Sequence, residues 1–160
     1  MKETKKFLMA AVVASGLALS ACAPTAGAGA PSGSGSAAAP VNVGIIYSKT
    51  GALAAYGETY YQGLQAGIDY ATGGTGEVNG AKINLTYADD GGDPDKAVTA
   101  AKDMIGKGYK IIGGTASSGI ALKLAEQAQQ NKVLYISGPA ATDAIQGINK
   151  YTFRSGRQSL

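Results

Sequence analysis

The sequence predicts an α/β fold in which a parallel sheet carries helices on both faces. From Val41 onward, short runs rich in β-branched and aromatic residues alternate with segments whose apolar residues recur at helical spacing. Each of the first four predicted strands is followed by a loop rich in Gly, Ser, Thr or Asp. Regular alternation of strands and helices implies parallel strands joined by helical crossovers.

The first predicted strand covers residues 41–47, a short apolar run typical of a buried strand. Apolar residues three or four positions apart then predict a helix over 58–72, which ends before Gly73. Asn79-Gly80 predicts a tight turn, because both residues accept a positive φ.

The second predicted strand covers residues 82–88, and Asp93-Pro94 marks the start of the next helix. Asp93 is expected to be its N-cap and Pro94 its first helical residue. The remaining predicted elements are a strand over 109–112, a helix over 119–131 capped by Ser118, a strand over 133–136, a short helix opened by Thr142, and a strand over 151–154.

The N-terminus has the pattern of an export signal. Three lysines precede an apolar run over residues 7–19, which is too short to cross a bilayer as a mature helix. The run ends at Leu19-Ser20-Ala21-Cys22, which holds the only cysteine of the chain. This pattern is similar to a bacterial lipoprotein signal and predicts a signal peptide over 1–21 with lipidation of Cys22. The alternative is a free thiol beside an ordinary secretory signal.

Residues 22–40 predict a flexible tether, because after Cys22 they contain only Ala, Gly, Ser, Pro and Thr. Such a segment spans about 20–25 Å as a random coil. Residues 41–160 are then left as one domain. We therefore expect an exported protein, lipid-anchored on the outer face of the bacterial cytoplasmic membrane and facing the cell surface or periplasm.

Composition excludes several functional classes. The chain contains no histidine or tryptophan, so Ser-His and Cys-His nucleophile pairs and His/Cys zinc sites are excluded. The formal net charge of +3 comes mostly from the predicted signal. No basic stripe is interleaved with aromatic residues, so we expect no nucleic-acid partner. We also expect no cofactor, no metal and no catalytic residue.

Candidate ligand-binding residues follow the strands, because ligands of parallel sheets bind beyond the carboxyl ends of the strands. Loop 113–118 leads into a helix N-terminus, where unpaired N–H groups favour anions, and Ser118 can donate its hydroxyl to a carboxylate. In loop 137–142, Thr142 can donate a hydroxyl and the Ala140 carbonyl can accept from an ammonium group. Tyr56, after the first strand, can wall off an apolar side chain.

Each of these residues also has a purely structural interpretation. The serines of loop 113–118 then only cap a helix, loop 137–142 is an ordinary turn, and Tyr56 packs on the surface. The acidic residues Asp89 and Asp90, with Asp93, suggest a carboxylate-based enzyme or a metal site. Turn formation and capping explain the same residues, and no EF-hand spacing is present.

Four stretches give the chain a specific resemblance: Val43-Gly44-Ile45-Ile46 with Thr50-Gly51 and Tyr56-Gly57, Tyr87-Ala88-Asp89-Asp90 with Asp93-Pro94, Gly113-Gly114 with Ser117-Ser118, and Pro139-Ala140-Ala141-Thr142. Their order and spacing resemble the type I periplasmic-binding fold, which is Rossmann-like. Within it, the chain resembles the leucine/isoleucine/valine-binding proteins of branched-chain amino-acid ABC importers. The match covers nearly all of residues 41–154.

The resemblance implies a receptor that performs no chemistry and delivers an amino acid, most plausibly branched-chain, to a membrane permease. Ser118 and Thr142 would bind the ligand carboxylate, Ala140 the ammonium group, and Tyr56 the side chain. Residues 41–160 would form the N-terminal lobe only, so we expect weak or undetectable binding by this lobe alone. A ligand sensor that signals to a membrane partner is the alternative, since the same fold serves both functions.

Overall fold

The structure is a computed structural model and describes residues 38–156. The predicted signal peptide, Cys22 and most of the predicted tether lie outside these residues. The elements are β1 (Val41–Tyr47), α1 (Ala54–Thr72), β2 (Glu77–Val78), β3 (Ala81–Asp89), α2 (Pro94–Gly106), β4 (Ile111–Gly114), α3 (Ser118–Asn131), β5 (Leu134–Ser137), a 3₁₀ helix (Asp143–Ile145) and β6 (Thr152–Arg154).

Six strands form one sheet in the order β2-β3-β1-β4-β5-β6. The five strands from β3 to β6 form four parallel pairs, which confirms the predicted parallel sheet. The prediction missed β2, a two-residue strand that pairs antiparallel with β3. The predicted Asn79-Gly80 turn joins the two, and its residues have φ of 50° and 77°.

Helices cover both faces of this sheet, as the sequence predicts. On one face, α2 and α3 bury a continuous apolar core against the strands, with Ile46, Met104, Ile112, Leu124 and Tyr135 among its members. On the other face lies α1. Neighbouring residues of β1 therefore point in opposite directions, as strand geometry requires.

Helix α1 begins at Ala54, four residues before the predicted start, because the N–H of Gly57 already donates to the carbonyl of Leu53 at 3.0 Å. Gly57 is buried directly beneath the Ser48 carbonyl. Stacked and edge-on contacts among Tyr47, Tyr61 and Tyr87 also hold α1 against β1 and β3, with ring centroids 5.1–6.0 Å apart. These contacts fix where α1 starts relative to the end of β1.

The cap of α2 is as predicted, because the Asp93 carboxylate accepts from the N–H groups of Asp95 and Lys96. The predicted cap of α3 is wrong by one residue. Ser117 occupies the N-cap position without a side-chain cap hydrogen bond, and Ser118 is the first helical residue. Within residues 38–156, no helix is long and apolar enough to cross a membrane.

Candidate functional site

The carboxyl ends of β1, β3, β4 and β5 lie at one edge of the sheet, which we call the binding edge. Backbone hydrogen bonds join the loops that leave it. The N–H of Thr115 donates to Ile46 at 2.8 Å, that of Gly138 to Gly114 at 2.9 Å, and that of Ala140 to Thr115 at 3.2 Å. The two loops predicted to bind ligand, after β4 and after β5, are therefore in direct contact.

Ser118 and Thr142 lie at the ends of these two loops, and both are half-buried. The Ser118 hydroxyl makes no hydrogen bond to any other described residue. The Thr142 hydroxyl accepts from the N–H of Ala144 at 3.2 Å and caps the 3₁₀ helix, so its own hydrogen remains available to donate. Each of the two hydroxyls can thus act as a hydrogen-bond donor.

Ala140 is buried between the two loops. The segment after it is braced by Arg154, whose guanidinium donates to the carbonyls of Ala141 at 3.5 Å and Thr142 at 3.4 Å and pairs with Asp143 at 3.2 Å. Sequence reasoning did not identify Arg154 as part of the site, because only tertiary structure brings the end of β6 beside this loop.

Tyr56 lies in the first turn of α1, on the side of the binding edge formed by β1. Its side chain is exposed, with 61% of its surface accessible. Because β1 pairs with β4, Tyr56 shares this edge with the loop that precedes α3. The exposed ring is consistent with either a ligand contact or simple surface packing.

None of the four predicted ligand-binding residues lines either of two larger cavities in the described part of the chain. One, of about 540 Å³, lies beside the 3₁₀ helix and β6. The other, of about 720 Å³, is an apolar groove between α1 and the sheet. The four predicted residues therefore belong to neither of these cavities.

The Asp89 and Asp90 carboxylates both accept several hydrogen bonds. The Thr50 hydroxyl donates to the Asp89 carboxylate at 2.6 Å, and the N–H groups of Thr50 and Gly91 and the Lys96 ammonium donate to it as well. These hydrogen bonds, that of the Thr50 hydroxyl above all, hold the pKa of the Asp89 carboxyl well below its usual range. Such a carboxyl is a poor general acid at neutral pH. No group of three residues that could ligate a metal occurs between residues 38 and 156.

Asp90 is fully buried and accepts from the N–H of Gly92 at 2.8 Å and from the Thr115 hydroxyl at 2.7 Å. These contacts fix the turn after β3 and the loop after β4. The sequence analysis considered Asp90 as an acid, base or metal ligand, or as a turn residue, and it did not consider Thr115 individually.

Residues 40–159 match the protein-family model described as periplasmic binding protein. The chain is 35% identical over 104 residues to the Leu/Ile/Val-binding protein BraC3 of Rhizobium johnstonii, covering 65% of this chain and 28% of that protein. It thus spans less than a third of the length of the curated relatives it matches.

Two solved structures from Rhodopseudomonas palustris share the fold. An ABC-type branched-chain amino acid transporter is 40% identical with a TM-score of 0.70, covering 74% of this chain and 33% of that chain. A solute binding protein of an ABC transporter, in complex with 3,4-dihydroxy benzoic acid, is 27% identical with a TM-score of 0.67, covering 74% and 32%. Together with the family match over residues 40–159, these similarities show that the chain belongs to the periplasmic binding protein family.

Proposed function

We propose that the protein is the extracytoplasmic solute receptor of an ABC importer and that it captures an amino acid, most plausibly a branched-chain one. The observation that carries this proposal is the pair of available hydroxyls, Ser118 and Thr142, on two contacting loops at the N-terminus of α3. The names of the relatives support the transporter context.

The proposed mode of binding follows from the chemistry of this edge. The ligand carboxylate accepts charge-assisted hydrogen bonds from both hydroxyls, and the dipole of α3 adds to the attraction. The Ala140 carbonyl accepts from the ammonium group, and Tyr56 contacts the side chain. Residues 41–160 form one lobe in this proposal, and hinge closure of a second lobe over the ligand creates the form that docks on the permease.

Two carboxylate ligand classes are compatible with the same donors. The relative from Rhizobium is named for leucine, isoleucine and valine, whereas one solved neighbour holds an aromatic acid. Both ligand classes present a carboxylate, and only the amino acids present an ammonium group. Our proposal commits to the amino acid, so 3,4-dihydroxybenzoate is the competing ligand in the test.

Titration of the ¹⁵N-labelled chain with leucine at high concentration, followed by NMR, tests the site, because amide shifts report even the weak binding expected of a single lobe. We expect leucine to shift the amide signals of Ser118, Ala140 and Thr142. Ser118→Ala and Thr142→Val should each weaken binding about tenfold, the equivalent of about 1.4 kcal/mol. Ser117→Ala is the matched control, because its hydroxyl forms no cap hydrogen bond. Unchanged affinity in both site variants, or stronger shifts with the aromatic acid, would contradict the proposal.

We also propose that the chain is exported and anchored through lipidated Cys22, on the sequence pattern of residues 1–22. In bacteria fed radiolabelled palmitate, the wild-type chain should incorporate label and sediment with membranes. The Cys22→Ser variant should lose both properties, because one thiol carries the anchor. Equal labelling of the two proteins would rule out Cys22 as the lipidation site.

A further inference from the structure

Thr115, between β4 and α3, has an unusual backbone conformation. Its φ is 60°, in the left-handed region, and the residue is fully buried. A β-branched residue rarely adopts this conformation, because its side chain crowds the backbone there. Surrounding contacts must therefore hold Thr115 in place.

The Asp90 carboxylate supplies one such contact. One of its oxygens accepts from the Thr115 hydroxyl at 2.7 Å, and the other accepts from the N–H of Gly92 at 2.8 Å. The N–H of Thr115 donates to the Ile46 carbonyl at 2.8 Å. Hydrogen bonds to a carboxylate shielded from water are among the strongest in proteins.

Thr115 in turn organises both ligand loops. Its hydroxyl oxygen accepts from the N–H of Ser117 at 3.3 Å, directly before the first residue of α3. Its carbonyl accepts from the N–H of Ala140 at 3.2 Å. One residue thus connects the start of α3, where Ser118 lies, to the loop that holds Ala140 and Thr142.

We propose that Asp90 and Thr115 are positioning residues of the binding edge. The buried carboxylate holds Thr115 in its left-handed conformation, and Thr115 fixes the start of α3 and the Ala140 loop before a ligand arrives. Such preorganisation raises affinity, because the ligand does not have to order the loops. This inference rests on the proposed function, since it assigns the two residues to the same ligand site.

The neighbouring Asp89 provides a matched control within the same turn. Its side-chain partners are Thr50, Gly91 and Lys96, and they come from the loop after β1, the turn after β3 and α2. None of them belongs to α3 or to the loop after β5. Asp89→Asn therefore disturbs the acidic turn without breaking the connection through Thr115.

Leucine titration and ligand-free amide spectra of Thr115 variants test the inference. Thr115→Val should weaken leucine binding about tenfold or more and shift the Ser118 and Ala140 amide signals before ligand is added. Thr115→Ser should restore both to wild-type values, because it keeps the hydroxyl. Asp89→Asn should leave these two signals in place. Thr115→Gly accepts the positive φ without strain, and it serves as the second hydroxyl-free variant if Thr115→Val does not fold.

The positioning role would be overturned if Thr115→Val or Thr115→Gly kept the wild-type affinity and the wild-type amide signals. It would also be overturned if Thr115→Ser failed to bind leucine as the wild type does. A wild-type chain whose Ser118, Ala140 and Thr142 signals shift with the aromatic acid and not with leucine would instead overturn the proposed function, and the positioning role with it. The two failures are distinguishable, because the first appears only in the variants and the second already appears in the wild type.

Discussion

Gly57→Ala is expected to destabilise the domain by about 3 kcal/mol or more, although alanine is the better helix former. A Cβ atom at this position would lie 1.9 Å from the Ser48 carbonyl oxygen and 2.6 Å from its carbon. Both are backbone atoms at the end of the central strand, so neither can rotate away. Either α1 moves off the sheet or β1 shifts, and both changes disrupt the binding edge.

The same helix offers two control substitutions. Gly63 and Gly67 are exposed positions of α1 with no atom within 4 Å of an added Cβ. Alanine there should stabilise the domain by up to about 1 kcal/mol at each position through helix propensity alone. Urea unfolding followed by circular dichroism measures all three variants. Equal stabilisation at Gly57, Gly63 and Gly67 would show that α1 does not approach Ser48 as closely as described.

Asp89→Asn is expected to lower the free energy of unfolding by about 2–3 kcal/mol at pH 7. The carboxylate accepts two hydrogen bonds from Thr50, one from Gly91 and one from Lys96, and an amide oxygen cannot accept them all. Asp103→Asn is the matched control, an exposed carboxyl on α2 that should change stability by less than about 0.5 kcal/mol.

The difference between wild type and Asp89→Asn should depend on pH. Because the pKa of Asp89 is lowered on folding, its stabilising contribution is complete above the unfolded pKa of about 3.9 and is lost as the pH falls below that value toward the folded pKa. Unfolding curves at pH 7, 5 and 3 should therefore show a constant difference between the first two and a smaller one at pH 3. A difference that grows on acidification would show that the folded pKa is not lowered.

Local signals were sufficient to predict most of the fold. The Asp93-Pro94 pair marks the start of α2, and Asn79-Gly80 marks the turn before β3, because cap and turn preferences act over a few residues. The alternation of strands and helices then implies the parallel sheet. Strand β2 escaped prediction because two residues are too few to show a hydrophobic period.

Features of the site that depend on distant residues were not predictable from local patterns. The left-handed conformation of Thr115 is held by Asp90, and the Ala140 loop is braced by Arg154. Neither contact is associated with a recognisable motif in the sequence near the residues that make it. The N-cap of α3 was predicted one residue too late for a different reason. Ser117 and Ser118 are adjacent and equally suited to the N-cap position, and the side chain of Ser117, which occupies it, makes no cap hydrogen bond.

Strand β1, the first strand of residues 38–156, lies inside the sheet, where Val43 pairs with Leu85 of β3 and with Ile111 of β4. In a chain that emerges N-terminus first, β1 gains its second neighbour only after β4 (Ile111–Gly114) has been synthesised. Closing such long loops before any pairing forms is entropically slow. The binding edge, which carries Tyr56, Ser118 and Thr142, therefore cannot be complete until the loop after β5 has been synthesised, and one side of β1 has no neighbouring strand until β4 follows.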